Sequence, residues 1–200
     1  MFTGIVQAVG CVAALETTGP GVRIRVESPG LDLADVALGD SIAVNGCCLT
    51  VVALQPNGFE MDVSRETLDC TAGFAPGARL NLEKALRAND RLGGHLVTGH
   101  VDGIGSVERV APVGDNRRLV FRMPASLSKY VARKGSITVN GVSLTVNVVG
   151  ADTFDVNLIP HTLGATNLGD LKAGDKVNLE IDLIARYVER MLSGDVGQDR

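Results

Sequence analysis

One stretch of this chain occurs twice, as VNGCCLTV at residues 44–51 and as VNGVSLTV at residues 139–146, 95 positions apart. In each copy Asn-Gly stands between runs of β-branched and aliphatic residues. Both residues of that dipeptide tolerate the positive φ of a type I′ turn, so each copy reads as a tight β-hairpin. The same offset relates Thr3, Gly4 and Val6 to Thr98, Gly99 and Val101, and Ser41 and Ile42 to Ser136 and Ile137. It also relates Phe59, Thr67, Leu68 and Thr71 to Phe154, Thr162, Leu163 and Thr166. LNLE at residues 80–83 and VNLE at 177–180 are 97 apart, which places a two-residue insertion in the second copy between Thr166 and Gly174. Agreement over most of two long halves marks a duplicated domain, too long for a solenoid repeat.

Duplication divides the 200 residues into two units of roughly 90, each large enough to bury a core. A chain that is 45% hydrophobic and 21% charged is not disordered, and its 24 glycines imply many turns and an all-β protein. The net charge of −4 comes from acidic and basic residues mixed along the chain, with no basic stripe to neutralise phosphates. Nucleic acid is therefore excluded as a partner and a small molecule expected. The N-terminal MFTGIVQAVG lacks a basic leader, and no stretch reaches the ~18 consecutive apolar residues of a membrane helix, so no membrane association and a cytoplasmic location are expected. All four cysteines (Cys11, Cys47, Cys48, Cys70) fall in the first half. Neighbours on a strand point to opposite faces, so the Cys47–Cys48 pair suits neither a disulfide nor a shared metal ion; free thiols are expected.

Taken in order, residues 3–15 read as a strand broken at Gly10, and residues 22–26 alternate as a half-exposed strand. Residues 29–38 are expected to form a short helix ending before Gly39, and the hairpin follows. A turn at 56–58, a strand at 59–63, a polar bend at 64–68 and a strand at 79–84 complete the unit. The second half repeats the order with strands at 96–110 and 118–123, a short helix at 124–132, the hairpin, a strand at 154–159, a bend at 161–163 and a strand at 176–182. About six short strands per unit suit a small closed barrel. The expectation is two tandem six-stranded Greek-key-like β-barrels, 1–92 and 93–182, joined near residues 87–94.

The end of the chain has no counterpart in the first half. Leu183, Ile184, Tyr187, Val188, Met191 and Leu192 recur at the spacing of one helical face, which predicts an amphipathic helix over 183–193 followed by a flexible tail, 194–200. Such a helix must cover its own barrel or the same helix of another subunit.

MFTGIV at the N-terminus, NGCCLT around Cys48, GGHLVTGHVDG at 93–103, KGSITVNGVSLT at 134–145 and LIPHTL at 158–163 together closely resemble the riboflavin synthases built from two lumazine-binding repeats. The resemblance runs from Met1 to about Leu192, in order and spacing. It implies a homotrimer held by the C-terminal helix, with no cofactor. It also implies the last step of riboflavin biosynthesis, in which two molecules of 6,7-dimethyl-8-ribityllumazine dismutate by four-carbon transfer to riboflavin and 5-amino-6-ribitylamino-pyrimidinedione. The two would bind in the N-terminal barrel of one subunit and the C-terminal barrel of its neighbour. A different class of relative binds lumazine or flavin as an optical antenna without turnover; retention of both Cys48 and His100 argues against that here.

Joining two copies of one substrate calls for two similar pockets, and proton transfer calls for titratable groups that break the symmetry between them. The repeats supply such differences: Ile5 becomes His100, Cys48 becomes Ser143, Glu66 becomes His161, Gly39 becomes Lys134, and Ala85 becomes Asp182. The resemblance places Cys48 beside the first lumazine, where a thiol can donate a hydrogen bond or, ionised, act as base or nucleophile; Cys47 is assigned to the core. His100, on the strand expected to open the second barrel, is a candidate acid or base, and His95 is expected on the opposite face of that strand, so the two do not form a metal pair. Ser143 and Thr145 share a face as a hydroxyl pair matching Cys48 and Thr50. No GxSxG elbow accompanies these residues, which argues against a hydrolase.

The candidate catalytic residues are therefore Cys48, His100, Ser143 and Thr145, with no metal site. Substrate contacts are expected from Gly4, Ile5 and Val6 and from Gly99 and Val101 at the two repeat starts. Leu49, Thr50 and Leu144 should contribute from the hairpins. Further contacts are expected from Asp62, Val63, Ser64, Arg65, Glu66 and Thr67 around the first ligand, and from Asn157, Leu158, Ile159, Pro160, His161 and Thr162 around the second. Lys134 and Asp182 complete the set. Polar bends of this kind suit a ribityl chain and a pyrimidinedione edge.

Overall fold

The computed structural model describes residues 1–194, so the tail anticipated beyond Gly194 lies outside the described residues. In the first repeat, β1 (Ala8–Thr18), β2 (Gly21–Glu27), β3 (Ser41–Val44), β4 (Cys47–Gln55), β5 (Gly58–Val63) and β6 (Arg79–Lys84) close into an antiparallel barrel in the order β1-β2-β5-β4-β3-β6. Alternation decides which side chains fill it. Along β4, Cys47, Leu49 and Val51 are buried while Cys48 is half-buried and Thr50 exposed. Ile24, Val26, Ile42, Val44, Phe59, Met61, Leu80 and Leu82 complete the core.

The second repeat forms β7 (Gly103–Val113), β8 (Asn116–Arg122), β9 (Ser136–Val139), β10 (Val142–Thr145), β11 (Val148–Val149), β12 (Thr153–Leu158) and β13 (Lys176–Ile181), in the order β10-β9-β13-β7-β8-β12-β11. At the offset of the repeat, β10 and β11 are the two halves of the strand that runs unbroken as β4. A pause at Val146 and Asn147 leaves the second barrel open along that seam, where β4 carries only a bulge between Val51 and Ala53. The all-β, two-barrel plan is present, with one barrel closed and the other parted at one strand.

Several local expectations differ. Residues 29–38 form turns, not a helix: the Asp32 side chain accepts from Ala34 N–H at 3.0 Å and Asp40 from Ala37 N–H at 2.9 Å, so side chains satisfy amides that a helix would need. Its counterpart is a 3-10 helix, Ala125–Tyr130. Both polar bends are single helices, α1 (Arg65–Cys70) and α2 (Pro160–Ala165). Ser64 caps α1 by accepting from Thr67 N–H, and Pro160 opens α2 where its missing N–H costs nothing. The C-terminal helix α3 (Leu183–Leu192) is capped by Asp182, which accepts from Ile184 N–H at 2.9 Å.

The largest difference lies at the repeat starts, because residues 3–7 and 96–102 are not the first residues of β1 and β7. Each leading segment crosses to the other barrel. Phe2 and Val97 pair antiparallel at the crossing, Ser143 N–H donates to Gly4 O, and Cys48 N–H donates to Gly99 O, both at 2.8 Å. Val6 packs on the second core and Val101 on the first. Between the barrels the two hairpin turns meet tip to tip. Asn45, Gly46, Asn140 and Gly141 all have the positive φ of type I′ turns, and a Cβ on either glycine would lie 2.7 Å from the other's amide nitrogen. Asn81 of β6 donates from Nδ2 to Asn140 O, and Asn178 of β13 from Nδ2 to Asn45 O, both at 2.9 Å, so each LNLE-type strand grips the opposite hairpin.

Candidate functional site

The crossing assembles two composite sites, each from the hairpin strand of one repeat and the leading segment of the other. At the first, Gly99 lies so close to β4 that a Cβ on it would stand 2.6 Å from the Cys48 Cβ, and its φ of +80° also demands glycine. His100 and Val101 follow in the same segment, His100 exposed and Val101 half-buried. At the second, Gly4 takes the equivalent place over Ser143, with φ +74° and a Cβ that would meet the Ser143 Cβ at 2.6 Å; Ile5 and Val6 follow. Cys48 thus lies against the segment that carries His100, and Ser143 against the one that carries Ile5. Neither histidine lies in a strand, so the opposite-face argument does not apply; His95 and His100 serve different sites because the segment between them crosses the barrels.

His95 is the residue that the repeat comparison missed. The offset would set its counterpart ahead of Met1, so no pairwise difference exposes it. Its Nδ1 is hydrogen-bonded to Ser143 Oγ at 2.7 Å, and its Nε2 is buried and unpartnered among the described residues. Burial holds the imidazole below its usual pKa of 6.5, opposed in smaller part by the Asp182 carboxylate. The arrangement pairs a hydroxyl with a neutral imidazole, which is able to accept its proton. Thr145 stands exposed two residues on, and Asp182 is committed to capping α3.

Cys47 and Cys48 separate as expected. Cys47 is buried, and burial pushes its thiol up to about 12, which keeps it protonated and inert. All four cysteines are unpaired. Lys134 has φ +67° where the first repeat has Gly39 at +93°, so a side chain has been placed on a backbone that favours glycine. Its Nζ donates to Asn147 Oδ1 at 3.3 Å.

Other expected contact residues divide by face. Leu49, Val63 and Leu158 are core residues, so they reach a ligand only through backbone atoms; strand alternation turns their side chains inward. Leu144 is half-buried against the second core. Asp62 is exposed and held below the usual carboxylate range by the Arg23 guanidinium, whose Nε and Nη2 donate to it at 2.8 and 2.9 Å. Arg65 pairs with Asp69 and Glu66 accepts from the Cys70 thiol, while Ser64 and Thr67 share the cap of α1. Asn157, Ile159, Pro160 and His161 are exposed and Thr162 half-buried on the corresponding edge of the second barrel. Two clefts of about 430 and 460 Å³ lie elsewhere, beside residues 28–34 and between the barrels near Arg79, and neither includes a predicted site residue. Among the described residues no cluster of three or more His, Cys, Asp or Glu side chains could hold a metal ion, and no helix is long and apolar enough to cross a membrane.

A lumazine binding domain model matches the chain twice, at residues 3–85 and 98–182, with the displacement that the repeats show. Riboflavin synthase of Photobacterium phosphoreum is 46% identical over 100% of this chain and 93% of its own length. The enzyme of Mycobacterium bovis is 47% identical over 96% of this chain and 98% of its own, and that of Bacillus subtilis 42% over 96% and 90%. Among solved structures, LumP complexed with riboflavin superposes with a TM-score of 0.83 at 29% identity over 90% of this chain and 99% of LumP, and LumP with 6,7-dimethyl-8-(1'-D-ribityl) lumazine with 0.80 at 28% over 90% and 98%. Two lumazine-binding repeats and whole-chain relatives at this identity place the protein in the riboflavin synthase family.

Proposed function

We propose that this chain is the synthase itself, a transferase that converts two molecules of 6,7-dimethyl-8-ribityllumazine into riboflavin and 5-amino-6-ribitylamino-pyrimidinedione. The carrying observation is that duplication has produced two similar but chemically unequal sites: Cys48 beside the His100 segment in one, and Ser143 hydrogen-bonded to His95 in the other. Similar pockets suit two copies of one substrate. Unequal groups suit a donor and an acceptor that need different proton transfers.

Holding two rings at near-attack distance is worth on the order of 7 to 11 kcal/mol of barrier. The Ser143–His95 pair is suited to take a proton from a ring methyl, and Cys48 to polarise or attack the other ring. The two sites sit on different barrels, so two bound lumazines meet where another subunit faces them; membership of the riboflavin synthase family supports a homotrimer in which one subunit's first barrel meets its neighbour's second. No redox group is needed, since the dismutation moves four carbons between identical rings. A cytoplasmic location accords with the unpaired thiols.

The likeness to LumP favours a second reading, a protein that binds lumazine without converting it. Identity decides between them, with 42–47% to the synthases against 27–29% to LumP. The test is to mix the purified protein with 6,7-dimethyl-8-ribityllumazine alone and follow both pigments by absorbance. About one riboflavin for every two lumazines consumed is expected from that stoichiometry. Bound lumazine that persists unchanged would leave the LumP-like reading standing.

A further inference from the structure

At equivalent places on its LNLE-type strand, each barrel buries a glutamate that the reaction chemistry above does not use. Glu83 is the next-to-last residue of β6 and Glu180 of β13; both are almost fully buried, 5% and 3% exposed. Glu83 Oε1 accepts from Thr3 N–H at 2.7 Å and from Thr3 Oγ1–H at 2.6 Å, and its Oε2 accepts from Gly4 N–H at 2.9 Å. Glu180 repeats the pattern with Thr98 N–H and Oγ1–H, both at 2.7 Å, and Gly99 N–H at 3.0 Å. Three donors on one buried side chain is a costly arrangement to leave half-made, since each unpaired group loses its solvation with nothing in return. Burial raises the pKa of both carboxyls, and the bonds from Thr3 and Thr98 oppose that rise.

The segments so gripped are the ones that cross. Glu180 stands in the second barrel, yet the segment it holds lies on Cys48 in the first; Glu83 stands in the first, and its segment lies on Ser143 in the second. We propose that Glu180 and Glu83 are positioning residues that act across the barrels, Glu180 setting the Cys48 site and Glu83 setting the Ser143 site. The proposal rests on the reading of those two places as the reaction sites. It follows that neither barrel can present a complete site without the other, and that a change in one barrel's carboxylate is felt in the opposite barrel. Loss of register by an ångström at a reacting group can cost on the order of a hundredfold in rate.

The test uses the full chain with Glu180→Gln and Glu83→Gln, and with Thr98→Val and Thr3→Val as milder changes that remove only the hydroxyl donor. The readout is the rate at which iodoacetamide alkylates Cys48, followed by peptide mass, with amide hydrogen exchange of residues 96–101 and 2–6 measured alongside. Glu180→Gln and Thr98→Val should speed Cys48 alkylation by about tenfold and loosen 96–101, with Cys47 still protected, while Glu83→Gln and Thr3→Val loosen 2–6 and leave Cys48 at its original rate. Riboflavin formation should fall by at least about tenfold in kcat with either glutamate changed. Equal alkylation in all variants, or a Cys48 response to Glu83→Gln as large as to Glu180→Gln, would overturn the cross-barrel role. A parent protein that makes no riboflavin would overturn the functional reading and leave the alkylation result intact, so the two failures are separable.

Discussion

On the proposed reaction His95 carries the second site's most direct chemistry, and its charge state can be read from stability. Burial lowers its folded pKa below the ordinary 6.5. In the unfolded chain the imidazole takes a proton near 6.5 as pH falls, while the folded ring resists until the lowered value is reached. Between those two pKa values the unfolded state binds more protons, so the stability that His95 contributes is present above 6.5 and lost as pH drops through the window. Urea unfolding from pH 7.5 down to 5.5 should show this decline in the parent, and His95→Gln should flatten it. The difference in slope should stay below the ~1.4 kcal/mol per pH unit that one whole proton would set, because the half-buried ring is partly screened by solvent. Parallel curves would mean that His95 is not held neutral. The residue was not legible from the repeats, since it precedes the offset, and its partner Ser143 was singled out only as the counterpart of Cys48. Lys134 is the opposite case: a lysine standing where the first repeat has Gly39 was visible in the sequence, and the left-handed φ explains why the glycine was there.

At the scale of elements, the two hairpins were fully legible because Asn-Gly between β-branched runs is a local signal that needs no partner. Their tip-to-tip contact was not, and it makes Gly46 and Gly141 unlike other glycines. Gly19 has a similar φ of +60°, yet a Cβ there would meet nothing within 4 Å, whereas one on Gly46 would strike the Gly141 amide at 2.7 Å. Gly19→Ala should therefore cost only the ~1–2 kcal/mol of a left-handed alanine. Gly46→Ala adds the displacement of the opposite hairpin and should cost ~3–5 kcal/mol, measured by urea unfolding. Equal costs would mean that the hairpins part freely. The crossing of the leading segments was illegible for a related reason. TGIV and TGHV look like ordinary strand starts, and only non-local bonds, Ser143 to Gly4 and Cys48 to Gly99, reveal that each serves the other barrel. Residues 29–38 failed as a helix because Asp32 and Asp40 capture amides locally, a competition that a count of helix signals does not register.

At the scale of the whole molecule, α3 is the element that the single chain leaves unfinished. Its polar side is fastened to its own barrel: Arg186 donates to Asp102 at 2.7 Å, and Glu189 pairs with Lys129 and accepts from the Tyr130 hydroxyl at 3.1 Å. Among the described residues nothing covers its apolar side, with Ile184, Tyr187 and Val188 exposed, Met191 at 72% and Leu192 at 82%. The sequence left open whether this helix covers its own barrel or another subunit. With the polar face already turned inward, the apolar face is the one free to meet a partner. Covering each of those side chains is worth ~1.5–3 kcal/mol, enough over several residues to outweigh the ordering of the contact. Truncation before Leu183 should give monomers in sedimentation velocity and, on the proposed shared site, lower riboflavin formation at least about a hundredfold, because two lumazines would no longer meet across subunits. Met191→Asp keeps the polar fastenings of α3 and spoils only its apolar face, so it separates loss of assembly from damage to the barrel. It should shift the population toward monomers at micromolar concentration and lower activity in proportion to the proposed trimer lost, with lumazine binding to the individual barrels retained. A fully active monomer from either variant would place both reacting lumazines within one chain and refute the shared site.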